Sequence, residues 1–386
     1  MAKKPPAPTK TPKAAAPQAP KVETAPALPP RPAGALALQS RIAAAINRKF
    51  GEGHATRLGS GRHSGAQVTE VIPTGIDAVD HYLWGSGGMP IGRITEVYGE
   101  NQCGKTTLMY RCLAQVQSMG GVGVVIDADH AFDEYRAAAS GVDVDALMVS
   151  TPTTMEEAFE VMKLALRAHE PAMGPMLVCW DALASSVSAK QLGAEAGKVQ
   201  PGDIARLTSA QFPIVLTLLG EQRAHLLILN QTRVNIGIMF GSNVTTPGGN
   251  APKFYSTHRV QIMGGKAVKN AQGEHLAKDV LFMAVKTRFV APFRRVRVRL
   301  DYATGYSDEW TTINWAKERG LIDAGAKGAS GYAAALEAIK AAGGWGSGVM
   351  VAAAPEADPL DAVPTGGEVE ADDELPAPPG DEEDEL

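Results

Sequence analysis

Residues 94–118 read ITEVYGENQCGKTTLMYRCLAQVQS. An apolar run, a glycine-bounded loop and a helical pattern follow one another without a break. Gly99-Glu100-Asn101-Gln102-Cys103-Gly104-Lys105-Thr106 meets G-x-x-x-x-G-K-[ST] at every defined position. The glycines let the backbone wrap a phosphate with its N–H groups turned inward, and the helix opening after the loop adds the positive end of its dipole. Lys105 then stands by the β- and γ-phosphates and the Thr106 hydroxyl by Mg²⁺, with Thr107 in the same turn. The strand–loop–helix context separates this match from a chance one, so a nucleotide site is expected here.

Working outward, "GVGVVIDAD" (121–129), "PMLVCWDAL" (175–183) and "AHLLILNQ" (224–231) are three more short apolar runs ending in polar residues. Helical stretches around 105–118, 155–169 and 203–220 lie between them. Such alternation predicts an α/β fold with a mostly parallel sheet and helices on both faces. Functional groups then gather at the carboxyl ends of the strands. "HRVQIMGG", "DVLFMAVKTR" and "RRVRVRLDYATGY" are expected to be later, antiparallel, hairpin-linked strands. Asp181 closes one apolar run and is the expected second Mg²⁺ partner. Asp127 and Asp129 close another; a carboxylate there either activates water or caps the next helix.

The ends of the chain differ from its middle. Residues 1–33 are rich in Pro, Ala and Lys, which argues for a disordered arm. Leu36, Leu38, Ile42, Ala45, Ile46 and Phe50 recur at helical spacing over residues 35–50, before Gly51 and Gly53. The expected organisation is therefore an arm (1–33), an N-terminal oligomerisation helix and linker (34–70), a core (71–320), a short C-terminal region (321–345) and an acidic tail (346–386). From Val351 onward there are 13 acidic residues and no Lys or Arg, leaving the first 350 residues with 37 basic against 29 acidic side chains. A basic body with an acidic tail suits a nucleic-acid binder, though such a tail also serves solubility. Cys103, Cys112 and Cys179 have no metal-ligand spacing and suggest a reducing compartment. No apolar stretch approaches the ~20 residues of a membrane span.

Taken in order, IPTGIDAVDHYLWGSGGMPIGRITEVYGENQCGKTTL (72–108), VIDADHAFD (125–133), LGAEAG (192–197), LNQTRVNIGIMFGSNVTTPGGNAPKFYSTHRV (229–260) and AVKTRFVAPF (284–293) resemble the RecA recombinase family over roughly residues 35–320. The resemblance implies a RecA-like P-loop ATPase core that uses ATP and Mg²⁺. It implies a cytoplasmic, DNA-dependent ATPase that forms homo-oligomeric helical filaments on single-stranded DNA. Such filaments then pair with homologous duplex DNA in repair and the response to damage. A regulatory relative with little strand exchange is the alternative.

Residue by residue, the resemblance places the water-activating group at Asp129. The family has Glu there, and one methylene less draws the carboxylate back by about 1.5 Å, so hydrolysis is expected to be slow. Gln231 is the γ-phosphate sensor, next to Asn230. The loop 232–250 binds DNA through Arg233, Ile236, Met239, Gly248, Gly249 and Asn250, and a second loop through Lys198, Arg206 and Ser209. Lys286 and Arg288 reach the neighbouring subunit's γ-phosphate, and Lys253 and Phe254 couple neighbours. Asp133 and Tyr135 flank the adenine, although the family's Tyr falls one position later, on Arg136. The small C-terminal domain of the family is reduced here to YAAALEAIKAAGGWGSG (332–348).

Overall fold

The computed structural model describes residues 34–51, 54–55, 70–194, 202–234 and 244–345; the arm at 1–33 and the tail at 346–386 lie outside them. The chain forms two compact units, residues 1–67 and 68–386. In the first, helix α1 (Ala35–Phe50) stops at Gly51, whose positive φ of 107° ends the turn and whose N–H bonds the Asn47 carbonyl. Arg48 and Lys49 stand in its last turn, where cations complement the dipole. None of its side chains is buried, and Leu36, Leu38, Ile42, Ile46 and Phe50 are exposed.

The second unit is built on one ten-stranded sheet. Its elements in chain order are β1 (Ile94–Gly99), α2 (Lys105–Ser118), β2 (Val122–Asp127), α3 (Glu134–Ala139), β3 (Leu147–Ser150), α4 (Met155–Ala168), β4 (Met176–Asp181), α5 (Asp203–Glu221), β5 (Ala224–Gln231), α6 (Ala251–Tyr255), β6 (His258–Met263), β7 (Ala267–Lys269), β8 (His275–Lys286), β9 (Arg295–Asp301), β10 (Gly305–Ser307), α7 (Asp308–Glu318) and α8 (Gly328–Ala341). The strand order is β10-β9-β8-β6-β1-β5-β4-β2-β3, with β7 beside β8. The run from β6 to β3 is parallel, and β8, β9 and β10 continue antiparallel.

Helices cover both faces of the central parallel strands, which is why β2, β4 and β5 read as largely apolar runs. Val125, Leu177, Cys179, Leu227 and Leu229 face the core that holds Leu108, Cys112, Leu113 and Val116 of α2. The alternating residues Val124, Ile126, Val178, Trp180, Leu226 and Ile228 face Phe159, Met162 and Leu166 of α4 and Phe212, Val215 and Leu219 of α5. Helix α4 opens on a capping box: the Thr154 side chain accepts from the Glu157 N–H while Glu157 accepts from the Thr154 N–H.

Two expectations need correcting. The segment 258–263 is not part of an antiparallel hairpin array: β6 runs parallel to β1, and only its other edge meets β8 antiparallel. Helix α6 and the segment before it return the chain to the start of the sheet, the geometry a parallel crossover needs. Strand β3, which pairs parallel with β2 at the sheet edge, was not expected. Its four residues are half-buried at the ends and exposed in the middle, and they carry no alternation long enough to read. At the other end, Ala335 and Ile339 of α8 enter the same core as α2, so residues 321–345 continue the core unit. Among the described residues, no helix is long and apolar enough to cross a membrane.

Candidate functional site

The phosphate loop joins β1 to α2, and its glycines are fixed by what they touch. A Cβ at Gly99 would stand 2.3 Å from the Ile262 carbonyl oxygen, and one at Gly104 only 2.1 Å from the Tyr306 hydroxyl. Gly104 also has a φ of +100°, a conformation other residues rarely adopt. The loop is thus pressed between β6 and β10, with the Tyr306 hydroxyl donating to the Cys103 carbonyl at 3.4 Å. The Lys105 ammonium curls back over it and donates to the carbonyls of Gly99 (3.2 Å) and Glu100 (2.7 Å). It is a nearly buried cation at the mouth of a helix, a charge arrangement suited to a phosphate chain.

Thr106, in the first turn of α2, donates its hydroxyl to Asp181 Oδ2 at 2.9 Å. Burial, reinforced by the carboxylates of Asp129 and Asp127, pushes the Asp181 pKa up to about 6. Asp127 is occupied locally: it accepts the Ala131 and Phe132 N–H groups, both at 3.1 Å, and so holds the turn after β2. Asp129 is the carboxylate left over. Its buried Oδ1 has no hydrogen-bond partner among the described residues. A hydroxyl, a carboxylate and a second unpartnered carboxylate beside a lysine fit a magnesium nucleotide, since Mg²⁺ takes one or two protein oxygens and completes its shell with phosphate and water. Protons compete for Asp181 below its raised pKa. Mg²⁺-dependent nucleotide affinity is therefore expected to fall about tenfold from pH 7 to pH 5. An Asp181→Asn variant, titrated by calorimetry, should lack that dependence.

The loop opens into a cleft of about 730 Å³. Its lining includes Asn101, Gln102, Lys105, Thr106 and Thr107 on the loop side, Arg136 and Ser140 on one flank, and the turn Asp301–Gly305 on the other. Asp133 also lines it, but its side chain caps α3 by accepting the Arg136 N–H at 3.0 Å. Tyr135 is 90% exposed and does not line the cleft; Arg136, held to Asp133 at 3.4 Å, does. One helix position is about 100° of rotation, which turns the neighbouring side chain away. Lys278, Tyr302 and the turn 301–305 escaped sequence reading, because nothing local marks a strand lysine or a hairpin turn as part of a cleft formed some two hundred residues earlier.

A sequence profile for the RecA N-terminal domain matches residues 37–307. Protein RecA of Chloroflexus aggregans is 37% identical over 279 residues, covering 72% of this chain and 77% of the relative. Protein RecA of Roseiflexus sp. is 38% identical over 277 residues, covering 72% and 76%. The chain belongs to the RecA family. A crystal structure of the RadB recombinase also superposes, at 17% identity and a TM-score of 0.46, over 61% of this chain and 98% of that one. RecA-family proteins are recombinases and DNA-dependent ATPases that work with ATP and Mg²⁺.

In this RecA-family chain Gln231 ends β5 directly beside Gly99 in the parallel register. Its neighbour Asn230 is fully buried and donates to Glu96 (2.9 Å) and to the Pro247 carbonyl (3.1 Å). Glu96 also accepts Arg259 Nε at 2.5 Å, and Arg259 reaches Thr246 at 3.3 Å. A buried ion pair thus ties β1, β5 and β6 to the segment 246–247. Arg233 is exposed and pairs with Thr245 across a two-stranded antiparallel ladder. Ile236, Met239 and Lys198 lie outside the described residues.

Gly248 and Gly249 both have positive φ, and a Cβ at Gly249 would stand 2.6 Å from Ala205 of α5. Thr208 of α5 donates to the Gly248 carbonyl at 2.9 Å. These glycines therefore seat the loop exit on α5, and Asn250 precedes α6. Arg206 and Ser209 are on the exposed side of the same helix. Arg206 pairs with Asp203 at 3.7 Å, and the Ser209 hydroxyl bonds the Ala205 carbonyl at 2.7 Å. Helix α5 thus seats the exit of the loop 232–250 on its Ala205–Thr208 face and carries Arg206 and Ser209 on its exposed side.

Lys286 is elsewhere. It pairs in register with Arg259, which is opposite Glu96, three residues or roughly 10 Å before the phosphate loop begins. Its ammonium donates to the carbonyls of Lys253 (2.7 Å) and Phe254 (2.9 Å) at the end of α6. Burial and the nearby Arg288 lower its pKa. Lys253 reaches the Thr245 hydroxyl at 3.4 Å. Phe254 is 70% exposed, not part of the core, and Arg288 is exposed beside the same edge.

Proposed function

We propose that this chain is an ATP-dependent recombinase that coats single-stranded DNA as a helical filament and exchanges strands with a homologous duplex. The observation that carries this reading is the gathering of Lys105, Thr106, Asp181 and the unpartnered Asp129 at the carboxyl ends of adjacent strands, with Gln231 leading from that site into the loop 232–250. Mg²⁺, when bound, neutralises charge on the transferring phosphoryl group. Lys105 orients the phosphates, Asp129 positions the attacking water, and Gln231 passes the state of the γ-phosphate to the DNA loop through an order–disorder change.

Lys286, Arg288 and Phe254 lie away from their own phosphate loop, which supports a head-to-tail contact completing the site of the next copy. Repeated without closure, such a contact gives a helix. Two exposed apolar surfaces supply area for it: the stripe on α1, and a groove of about 680 Å³ lined by Met148, Val149, Leu164 and Met173.

Asp129 favours a second reading, a regulatory relative that binds ATP and DNA but turns over slowly. Steady-state ATP hydrolysis with and without single-stranded DNA separates them. The recombinase reading expects DNA-stimulated turnover that falls at least ~100-fold in Asp129→Asn and rises several-fold in Asp129→Glu, which restores the reach of the carboxylate. Turnover indifferent to DNA overturns it.

A further inference from the structure

Lys105 is not the cleft's sole lysine. Lys278 projects into it from β8, opposite Leu300 in register, and Leu300 is itself against the phosphate loop, where a Cβ on Gly104 would stand 3.0 Å from Leu300 Cδ2. The Lys278 ammonium lies back over the end of β6, where a Cβ at Gly264 would stand 3.6 Å from it. Its charge is close enough to help lower the pKa of the Cys103 thiol, against the larger effect of burial. It therefore shares the cleft with Asn101, Gln102 and Gly104 of the loop and acts on the thiol of Cys103 between them.

Among the described residues this ammonium has no hydrogen bond and no ion pair. The acidic groups of the cleft are engaged elsewhere. Asp133 caps α3 and holds Arg136, and Asp301 accepts the Ala303 and Thr304 N–H groups. Asp279, next to Lys278 in sequence, is bound to Arg299. A half-buried, unneutralised cation facing the part of the loop whose N–H groups cradle the β-phosphate is a phosphate contact waiting for an anion.

We propose that Lys278 is a second phosphate-binding lysine, which contacts the β-phosphate side of the bound nucleotide from within the same chain. This rests on the cleft being the nucleotide site. Unlike Lys286 and Arg288, it needs no neighbouring copy, so it holds nucleotide before assembly.

The test uses the full chain without DNA and a fluorescent N-methylanthraniloyl ADP, displaced by unlabelled AMP, ADP or ATP. Lys278→Gln is expected to weaken ADP and ATP about tenfold, the scale of one charge-assisted hydrogen bond. AMP should compete as before, Lys278→Arg should restore most of the affinity, and the deficit should shrink as salt rises. Unchanged ADP and ATP affinity in Lys278→Gln, beside a loss in Lys105→Ala, overturns the proposal and leaves the nucleotide site standing. If Lys105→Ala also binds ADP normally, the nucleotide reading falls, and this inference with it.

Discussion

Lys105→Ala should abolish DNA-stimulated ATP hydrolysis, by at least about 10²–10³-fold in kcat, while the chain still folds. The ammonium is nearly buried, and its hydrogen bonds go to two carbonyls of its own loop. Those bonds hold the amine over the loop proposed to take the phosphate chain, and removing a preorganised donor of this kind costs catalysis on that scale. The fold should tolerate the change because the loop is shaped by other contacts: Gly99 against Ile262, Gly104 against Tyr306, and the Tyr306 hydroxyl on the Cys103 carbonyl. A hydrolysis assay with single-stranded DNA, paired with a thermal melt, checks both halves. Retained DNA-stimulated turnover would remove the phosphate loop from the mechanism.

Arg259→Ala should destabilise the core by about 3–5 kcal/mol, the usual cost of leaving one partner of a buried ion pair uncompensated. Glu96 is fully buried, and without Arg259 its carboxylate would keep only the Asn230 amide as a hydrogen-bond donor. Arg259 also lies over the Tyr98 ring at 4.9 Å and reaches Thr246, so packing is lost as well. In a chain of this size the melting midpoint should fall on the order of 10 °C. Replacing both charges, with Glu96→Gln and Arg259→Met, should recover much of the loss, because the penalty comes from the orphaned charge more than from the missing attraction. Chemical denaturation of the two singles and the double measures the coupling; additive losses would show that the pair contributes little beyond packing. The double variant also probes function, since the same network holds Asn230, beside Gln231, to the segment that follows the loop proposed to bind DNA.

The elements that were legible in the sequence share one property: their chemistry is local. The phosphate loop declares itself in eight consecutive residues, because a backbone cradle, a lysine and a metal-ligating hydroxyl must follow one another along one turn. The parallel strands β2, β4 and β5 declare themselves because burial on both faces leaves their middles almost wholly apolar. Helix α1 was readable from its spacing and its terminal glycine. The family, too, was legible, since its segments recur in order.

What the sequence left open is what depends on partners distant along the chain. Asp127 and Asp129 are equivalent as letters; only the fold assigns Asp127 to the turn at 131–132 and leaves Asp129 without a partner. The choice between Tyr135 and Arg136 at the cleft is a question of helix phase, and Gly248 and Gly249 owe their place to Ala205 and Leu183 as packing neighbours. Strand β6 joined the parallel sheet because its pairing is set by register with β1, far upstream. Sequence determined the local chemistry and the alternation of elements, because these follow from residues that touch their near neighbours. The tertiary structure alone decided which carboxylate stays free, which cations enter the cleft, and which face away from it, because a side chain's charge acts through the partners that folding brings within a few ångströms.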